Sequence, residues 1–232
     1  MINNFDLSIF SAVNQYSHHS VTFDHFVVSI QNNNLLKGGV LMSLVYFVWF
    51  KASQNSIKRL YIIATLLCTF PAELLARIMS KTLAFRFRPI HEATIHFLPP
   101  LGMDANILEG YSSFPSDHAV LFFCLSTGLL FCSKKLGIFV FIYTLIFIAL
   151  PRLYLGLHYP TDLIAGAIIG IIFAVTANIY FAQNKLVSTI NQWSYTKPEF
   201  FYPLFFLVTC EIFEMFGSSR ALITALFGNI VP

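Results

Sequence analysis

Six long apolar runs, separated by short polar segments, constrain the fold of this chain more than any other feature. At 1.5 Å per residue, each run forms a helix that approaches or spans a bilayer core of about 30 Å. Only 11% of the residues are charged, against roughly 25% in a soluble domain. We therefore predict an all-α fold, a polytopic membrane helix bundle with six transmembrane helices near residues 35–50, 60–80, 115–133, 136–151, 159–181 and 200–216.

The segment before these runs has a one-sided apolar pattern. Phe23, Phe26, Val27 and Ile30 follow the i, i+3, i+4, i+7 spacing of one helical face. This stripe predicts one or two amphipathic helices lying in the membrane interface. We find no repeat or linker, so we expect a single domain over residues 1–232, with interfacial helices in 1–34, a six-helix core in 35–216, an active-site loop region in 81–118 and a tail in 217–232.

Basic residues in alternate loops predict the orientation. Loops rich in lysine and arginine are retained on the cytoplasmic side of a membrane. The 81–114 loop and the turn at 152–158 then fall on the opposite side, and their cations need another explanation. The predicted cytoplasmic cations are Lys51, Lys58, Arg59, Lys134, Lys135, Lys185 and Lys197.

Three short stretches combine cations, imidazoles and a carboxylate. They read KTLAFRFRP (81–89), SSFPSDHA (112–119) and PRLYLGLHYPTD (151–162). Charged groups inside or beside a membrane are costly and usually functional. The chain crosses the membrane twice between the second and third stretches, so we expect all three to meet on one side.

Phosphoryl transfer is the chemistry that this set of residues indicates. Lys81, Arg88 and Arg152 supply three cations, and guanidinium forks match the spread of phosphate oxygens. Pro115 and Pro160 each suit the first turn of a helix. The following amides, at 116–118 and 161–162, would then be free donors at helix N-termini, where the dipole favours an anion.

The two histidines would supply a nucleophile and a proton. A neutral imidazole can attack phosphorus when a nearby carboxylate fixes its tautomer. Asp162 lies one helical turn beyond His158, so we expect the two side chains to meet. We predict His158 as nucleophile, and His118 as the acid that protonates the leaving oxygen and later activates water.

These stretches resemble the three-part signature of the type 2 phosphatidic acid phosphatase superfamily, most of whose members are membrane lipid phosphatases. A match of nine residues in the expected order is far more specific than a lone short motif. The matching residues are Lys81, Arg88, Pro89, Pro115, Ser116, His118, Arg152, His158 and Asp162.

The resemblance implies a phosphatase that needs no metal or cofactor and forms a phosphohistidine on His158, with His118 and Asp162 as the other catalytic residues. SFPSDHA together with RLYLGLHYPTD is most similar to the bacterial branch that dephosphorylates undecaprenyl pyrophosphate in cell-envelope biogenesis. This implies an inner-membrane enzyme with a periplasmic or extracellular active site, whose partners are the lipid substrate and the bilayer. The implied phosphate contacts are Lys81, Arg88, Ser116 and Arg152.

Two positions depart from the family pattern. Pro151 stands where serine is usual, which removes one potential phosphate-contacting hydroxyl, and Asp117 stands where glycine is frequent. We include Asp117 as a further candidate site residue.

Other functions remain open at this stage. A lipid phosphotransferase would share the phosphohistidine step, and phosphatidylglycerophosphate or lipid A would also suit three cations above a membrane. A lipid or anion transporter is the alternative from another class, although its charges should lie at the midplane in broken helices. The net charge of only +3 and the absence of a basic tract argue against a nucleic-acid partner.

The remaining charged residues and the helical glycines have structural interpretations. Arg86, with His91, Glu92 and His96, is expected to be a solvated loop residue, and Gly166 and Gly170 to allow close helix packing.

Glu73 and Arg77 are expected to neutralise each other one helical turn apart. Glu211 and Glu214 could pair with Arg220 or line a polar cavity.

Overall fold

The computed structural model describes residues 3–227, and every regular element within them is a helix, which confirms the all-α class. The α-helices are α1 Asn4–Asn14, α2 Val21–Asn32, α3 Val40–Lys51, α4 Ile57–Thr82, α5 Asp117–Cys132, α6 Lys134–Thr144, α7 Leu150–Tyr154, α8 Pro160–Thr176, α9 Lys185–Thr196, α10 Pro198–Phe213 and α11 Gly217–Phe227. Short π-helical turns are Leu35–Gly39, Leu145–Ala149 and Ala177–Phe181, and 3₁₀ turns are Pro89–His91 and Ala93–Ile95.

All six predicted apolar runs are helical, but fewer of them qualify individually as membrane spans. Ile57–Thr82, Lys134–Tyr154 and Pro160–Phe181 are long and apolar enough to cross a membrane. The α10–α11 pair passes the same test together, but it is bent by 89°. The described residues therefore hold three candidate spans, or four with the bent pair, and the count of six remains a prediction.

Helix α5 lies at the centre of the bundle and packs against α4, α6 and α8. Its contact with α8 is close because two α8 glycines face it. A Cβ added at Gly170 would lie 2.2 Å from the carbonyl oxygen of Val120, and one at Gly166 would lie 2.5 Å from that of Ser116. The prediction that these glycines allow close helix packing is confirmed, and the contact ties the start of α5 to α8.

The N-terminal helices pack on the bundle near the start of α8. Helix α1 contacts α7 and α8, and α2 contacts α7. The fully buried Asp6 accepts hydrogen bonds from the backbone N–H (3.0 Å) and the hydroxyl (2.8 Å) of Thr161. An anion thus already occupies the positive end of the α8 dipole.

Arg86 joins this contact to the third sequence stretch. Its guanidinium donates to a carboxylate oxygen of Asp6 and to one of Asp162, each at 2.5 Å, and lies 4.2 Å from the ring centroid of Tyr159. The prediction that Arg86 is a solvated loop residue is wrong. Two fully buried carboxylates need a cation to offset their desolvation.

Two helices were predicted neither as apolar runs nor as N-terminal interfacial helices. Helix α9 joins α8 to α10, and α11 follows the sharp bend after α10 within the segment predicted as a tail. The last part of that predicted tail, residues 228–232, lies outside the described residues.

We predict that Gly170→Leu destabilises the α5–α8 contact, because a side chain there meets backbone rather than a flexible neighbour. Overpacking of this kind costs about 1–3 kcal/mol, which lowers the unfolding temperature of a chain of this size by roughly 2–12 °C. Thermal unfolding in detergent measures the change. Gly217→Ala is the control because no atom of the described residues lies within 4 Å of the added Cβ, and equal unfolding temperatures for the two variants would refute the close contact.

We also predict that Arg86→Met destabilises the protein, because it leaves Asp6 and Asp162 buried without their shared cation. Removing one partner of a buried ion pair costs about 3–5 kcal/mol. Denaturation in detergent should show this loss, with partial recovery in Arg86→Lys. Wild-type stability in Arg86→Met would contradict the proposed electrostatic role.

Candidate active site

The three sequence stretches meet at His158. Arg88, from the first stretch, donates from Nη1 to His158 Nε2 (3.2 Å) and to the carbonyl oxygen of Leu157 (2.8 Å). The carbonyl oxygen of Ser113, from the second stretch, lies 2.8 Å from His158 Nδ1. The imidazole is 1% exposed, so these contacts fix its orientation.

The two contacts also determine the tautomer of the neutral ring. A carbonyl oxygen only accepts, so Nδ1 of His158 must carry a proton, and an arginine only donates, so Nε2 must hold the lone pair. Burial, followed by the nearby charges of Arg88 and Arg152, keeps the pKa of His158 below its ordinary value, although Asp162 acts in the opposite direction. The ring is thus held in the form that a nucleophile requires.

Asp162 lies beside His158 without being its hydrogen-bond partner. Its Oδ2 is 3.8 Å from Nδ1 and instead accepts from the backbone N–H of Tyr159 at 2.8 Å. Asp162 thereby caps α8, and it remains close enough to stabilise a positively charged imidazole. The orienting hydrogen bond that we expected from Asp162 is supplied by the Ser113 carbonyl.

A tight turn places His158 at the start of α8. The carbonyl oxygen of Arg152 accepts from Leu157 N (2.9 Å) and His158 N (3.3 Å). Gly156 has a φ of 66°, and a Cβ there would lie 2.6 Å from the ring of Phe97. Glycine is therefore required by both the backbone conformation and the space. Pro160 occupies the first turn of α8, as predicted.

The other predicted helix start differs from our expectation. Helix α5 begins at Asp117 with Ser116 as its cap, so Pro115 lies before the helix, after a cis peptide bond. The backbone N–H of Ser116 donates to an α8 carbonyl (3.2 Å), and that of Thr161 donates to Asp6. The prediction of free amides at these two positions is wrong, and side-chain cations must carry most of any phosphate binding.

Asp117, one of the two residues that depart from the family pattern, contacts the second histidine. Its Oδ1 lies 2.9 Å from His118 Nδ1 and accepts from the His118 backbone N–H at 2.8 Å. Because a carboxylate accepts, Nδ1 of His118 carries a proton and its Nε2 is directed elsewhere. Asp117 therefore orients His118 in the manner that we predicted of Asp162 toward His158.

A cavity of about 490 Å³ lies next to these groups. Of the predicted site residues, Arg88, Arg152, Asp117 and His118 line it. The Arg152 residue is 2% exposed, and its guanidinium has no hydrogen-bond or ion-pair partner among residues 3–227. A buried cation without a partner is unfavourable unless an anion binds it.

The remaining predicted residues do not line this cavity. Lys81 is exposed at the end of α4, and Ser116 is fully buried with its hydroxyl capping α5. His158 lies behind Arg88, which separates its Nε2 from the open space. The phosphate contacts of Lys81 and Ser116 therefore remain predictions.

Several charged residues near the site were missed or left without a role. Arg77 and Arg220 also line the 490 Å³ cavity, and Lys37 lines an adjoining cavity of about 120 Å³. Arg77 lies 3.9 Å from both Glu73 and Asp117, so the predicted Glu73–Arg77 pair is shared with the active site.

The two glutamates of the α10 region bind near their own helix end. Glu211 accepts from the backbone N–H of Ser219 (3.2 Å), and Glu214 accepts from the hydroxyl of Ser218 (2.7 Å). Within residues 3–227, neither forms the ion pair with Arg220 that we considered, but Glu214 does line the smaller cavity.

Comparison with known proteins supports the resemblance seen in the signature. Undecaprenyl-diphosphatase BcrC of Bacillus subtilis (strain 168) is 28% identical over 71% of this chain and 78% of its own length. Putative undecaprenyl-diphosphatase YbjG of Escherichia coli (strain K12) is 24% identical over 83% of this chain and 92% of its own length. The Lipid A 4'-phosphatase of Bacteroides thetaiotaomicron is 31% identical over 66% of this chain and 67% of its own length. No solved structure matches the chain.

The match to a protein family covers the whole signature. Residues 59–186, more than half of the chain, match the PAP2 superfamily. This is the family of type 2 phosphatidic acid phosphatases that the nine signature residues predict, and with the candidate spans it makes the chain an integral membrane protein. The chain therefore belongs to the PAP2 superfamily of phosphatases.

Proposed function

We propose that this chain is a membrane enzyme that removes the terminal phosphate from undecaprenyl pyrophosphate through a phosphohistidine intermediate. The proposal depends above all on the lone pair of His158 Nε2, which accepts from Arg88, a residue that lines one cavity together with the unpartnered Arg152. A nucleophile beside unneutralised cations suits an anionic electrophile such as a phosphoryl group. The names of two relatives support the lipid substrate.

The first chemical step transfers phosphate to the enzyme. A phosphoryl group in the cavity draws the Arg88 guanidinium onto its oxygens, which frees Nε2 of His158. Nε2 then attacks phosphorus, the bond from phosphorus to the bridging oxygen breaks, and protonated His118 gives its Nε2 proton to that oxygen. Lipid monophosphate leaves, and Arg88 and Arg152 stabilise the charge on the transferring group.

The second step returns the enzyme to its starting state. His118, now neutral, takes a proton from water, and the oxygen of that water attacks the phosphohistidine. The phosphorus–nitrogen bond breaks, its electron pair returns to Nε2 of His158, and inorganic phosphate leaves. Asp117 keeps the His118 ring in place in both steps, and its charge stabilises the protonated form.

An apolar groove next to the cationic cavity supports a long-chain lipid as substrate. The groove has a volume of about 610 Å³ and runs between α2 and the helix Lys134–Tyr154. Ile30 and Pro151 line the groove, while their chain neighbours Gln31 and Arg152 line the cavity. The departure at Pro151 thus contributes apolar surface beside the phosphate site.

The orientation and the full set of membrane helices form part of the same proposal. We infer six transmembrane helices, with α3 and α5 completing the spans, and an active site on the periplasmic or extracellular side of a bacterial inner membrane. The basic loops at the opposite end of the bundle support this orientation.

Lipid A is the second candidate substrate, because the relative named Lipid A 4'-phosphatase has a similar identity to this chain. Phosphate release from purified protein should be compared for undecaprenyl pyrophosphate, lipid A, phosphatidylglycerophosphate and phosphatidic acid. We expect the highest kcat/KM with undecaprenyl pyrophosphate. A higher kcat/KM with lipid A would favour the second candidate. Analysis of the products with an added lipid acceptor distinguishes hydrolysis from phosphotransfer.

We predict that His158→Asn abolishes phosphate release, by roughly 10³-fold or more, because removal of a nucleophile eliminates the covalent route. Phosphate release and the elution volume of the protein in detergent measure activity and folding together. His96→Asn is the matched control, since His96 is exposed and has a positive φ that asparagine tolerates. Substantial turnover by folded His158→Asn would defeat the proposed mechanism.

We also predict that the imidazole of His158 titrates below its ordinary pKa of about 6.5, because burial and two arginines disfavour its charged form. His158 then stays neutral in mildly acidic solution. Activity that requires neutral His158 should fall only when the pH drops below the lowered pKa of this imidazole. Nitrogen NMR of histidine-labelled protein in detergent measures the titration, with His158→Asn to assign the signal. A pKa above 6.5 would contradict the described environment.

A further inference from the structure

Two cations that lie outside the region matching the family line a cavity beside the histidine His118. Lys37 precedes α3 and Arg220 belongs to α11, whereas the family match covers residues 59–186. Both residues line the 120 Å³ cavity together with Asp117 and His118. Arg220, Asp117 and His118 also line the 490 Å³ cavity, so the two spaces adjoin at His118.

Lys37 has the properties of a cation without a bound counterion. The residue is only 8% exposed, and its amino group has no hydrogen-bond or ion-pair partner within residues 3–227. A buried, unpaired ammonium group is costly. Because this side chain lines a cavity beside His118, an anion in that cavity would relieve the cost.

Arg220 reaches the same cavity because the chain bends sharply after α10. The two helices α10 and α11 meet at 89°, which returns α11 toward the active site. The Nε of Arg220 donates to the carbonyl oxygen of Phe216 at 3.2 Å. No bond from its two terminal nitrogens to another described residue is present, which leaves them available to a ligand.

The carboxylates bordering this space are already engaged. Asp117 binds His118 and lies 3.9 Å from Arg77, and Glu214 accepts from Ser218. Arg77 also lies 3.9 Å from Glu73, so its charge is divided between two acids. Lys37 and Arg220 are therefore the cations that remain for a ligand in the smaller cavity.

The geometry of phosphoryl transfer predicts an anion in the smaller cavity beside His118. In a phosphoryl transfer the nucleophile and the leaving oxygen lie on opposite sides of phosphorus. If His158 is the nucleophile and His118 protonates the leaving oxygen, the leaving group lies on the His118 side. For a lipid diphosphate, that leaving group is the phosphate that stays on the lipid, which carries negative charge of its own.

We propose that Lys37 and Arg220 bind the lipid-linked phosphate of a diphosphate substrate and so favour diphosphates over monophosphates. This inference rests on the proposed function, because it assumes attack by His158 and departure beside His118. A lipid monophosphate has no second phosphate to place there. These two cations therefore act on substrate preference more strongly than on phosphoryl transfer itself.

The test compares farnesyl diphosphate with farnesyl monophosphate, which share one tail, in detergent micelles. Lys37→Met and Arg220→Gln should each lower kcat/KM for the diphosphate by about tenfold or more beyond any loss for the monophosphate. Lys37→Arg retains the charge and should retain most of the preference. Lys51→Met is the control, since Lys51 is exposed at the C-terminal end of α3, the helix that Lys37 precedes.

The outcomes separate this inference from the proposed function. The wild type should hydrolyse both substrates. If Lys37→Met and Arg220→Gln then lose kcat/KM equally for the two substrates, the second phosphate site is overturned and the phosphatase proposal stays intact. Failure of the wild type to hydrolyse either substrate would instead count against the proposed function. If Lys37→Met does not fold, inhibition of Arg220→Gln by inorganic pyrophosphate and by orthophosphate provides the test. We expect Arg220→Gln to weaken inhibition by pyrophosphate more than it weakens inhibition by orthophosphate. An equal effect on the two inhibitors would overturn the inference.

Discussion

His158 is held between one group that only accepts a hydrogen bond and another that only donates. The Ser113 carbonyl and the Arg88 guanidinium together leave a single neutral tautomer, with its lone pair on Nε2. These partners lie 45 and 70 residues away along the chain. The ring can therefore be oriented only after the helices have assembled. The α5–α8 glycine contact and the turn at Gly156 hold the backbone that makes this assembly possible.

Near the two active-site histidines, His158 and His118, the protein places buried cations that have no partner in the described part of the chain. Arg152 and Lys37 are at least nine-tenths buried, and neither has a partner among residues 3–227. Each buried ion costs several kcal/mol unless its charge is compensated. The unbound site is therefore electrostatically unfavourable, and a phosphorylated ligand would remove much of that penalty. Binding energy gained in this way is available to position the phosphoryl group against His158.

The sequence predicts the parts of this structure that depend on local pattern. Each apolar run is helical, and the signature identifies Arg88, His118 and Arg152, which line one cavity, and His158, which Arg88 contacts, because residue type and order carry that information. The partner of Arg86 could not be read in the same way, since Asp6 lies 80 residues earlier and pairs with it only in three dimensions.

Two further features had no usable signal in the sequence. The bend that brings Arg220 to the active site passes through Met215 and Phe216, whose φ angles of 55° and 57° are unusual for residues other than glycine. The helix start predicts a free backbone amide at Thr161, but this amide donates to the distant carboxylate of Asp6. No rule of helix capping predicts such a partner. Long-range contacts, rather than helix propensities, account for the differences between prediction and structure.

The account depends most directly on His158 Nε2 being the atom that bonds to phosphorus. A structure of the protein in a lipid bilayer with orthovanadate, which mimics the transferring phosphoryl group, would test this. We expect vanadium bonded to Nε2 of His158, with Arg88 and Arg152 on its equatorial oxygens and His118 beside the opposite axial oxygen. Vanadate bound in the cavity without a bond to His158, or bonded to another residue, would contradict the account.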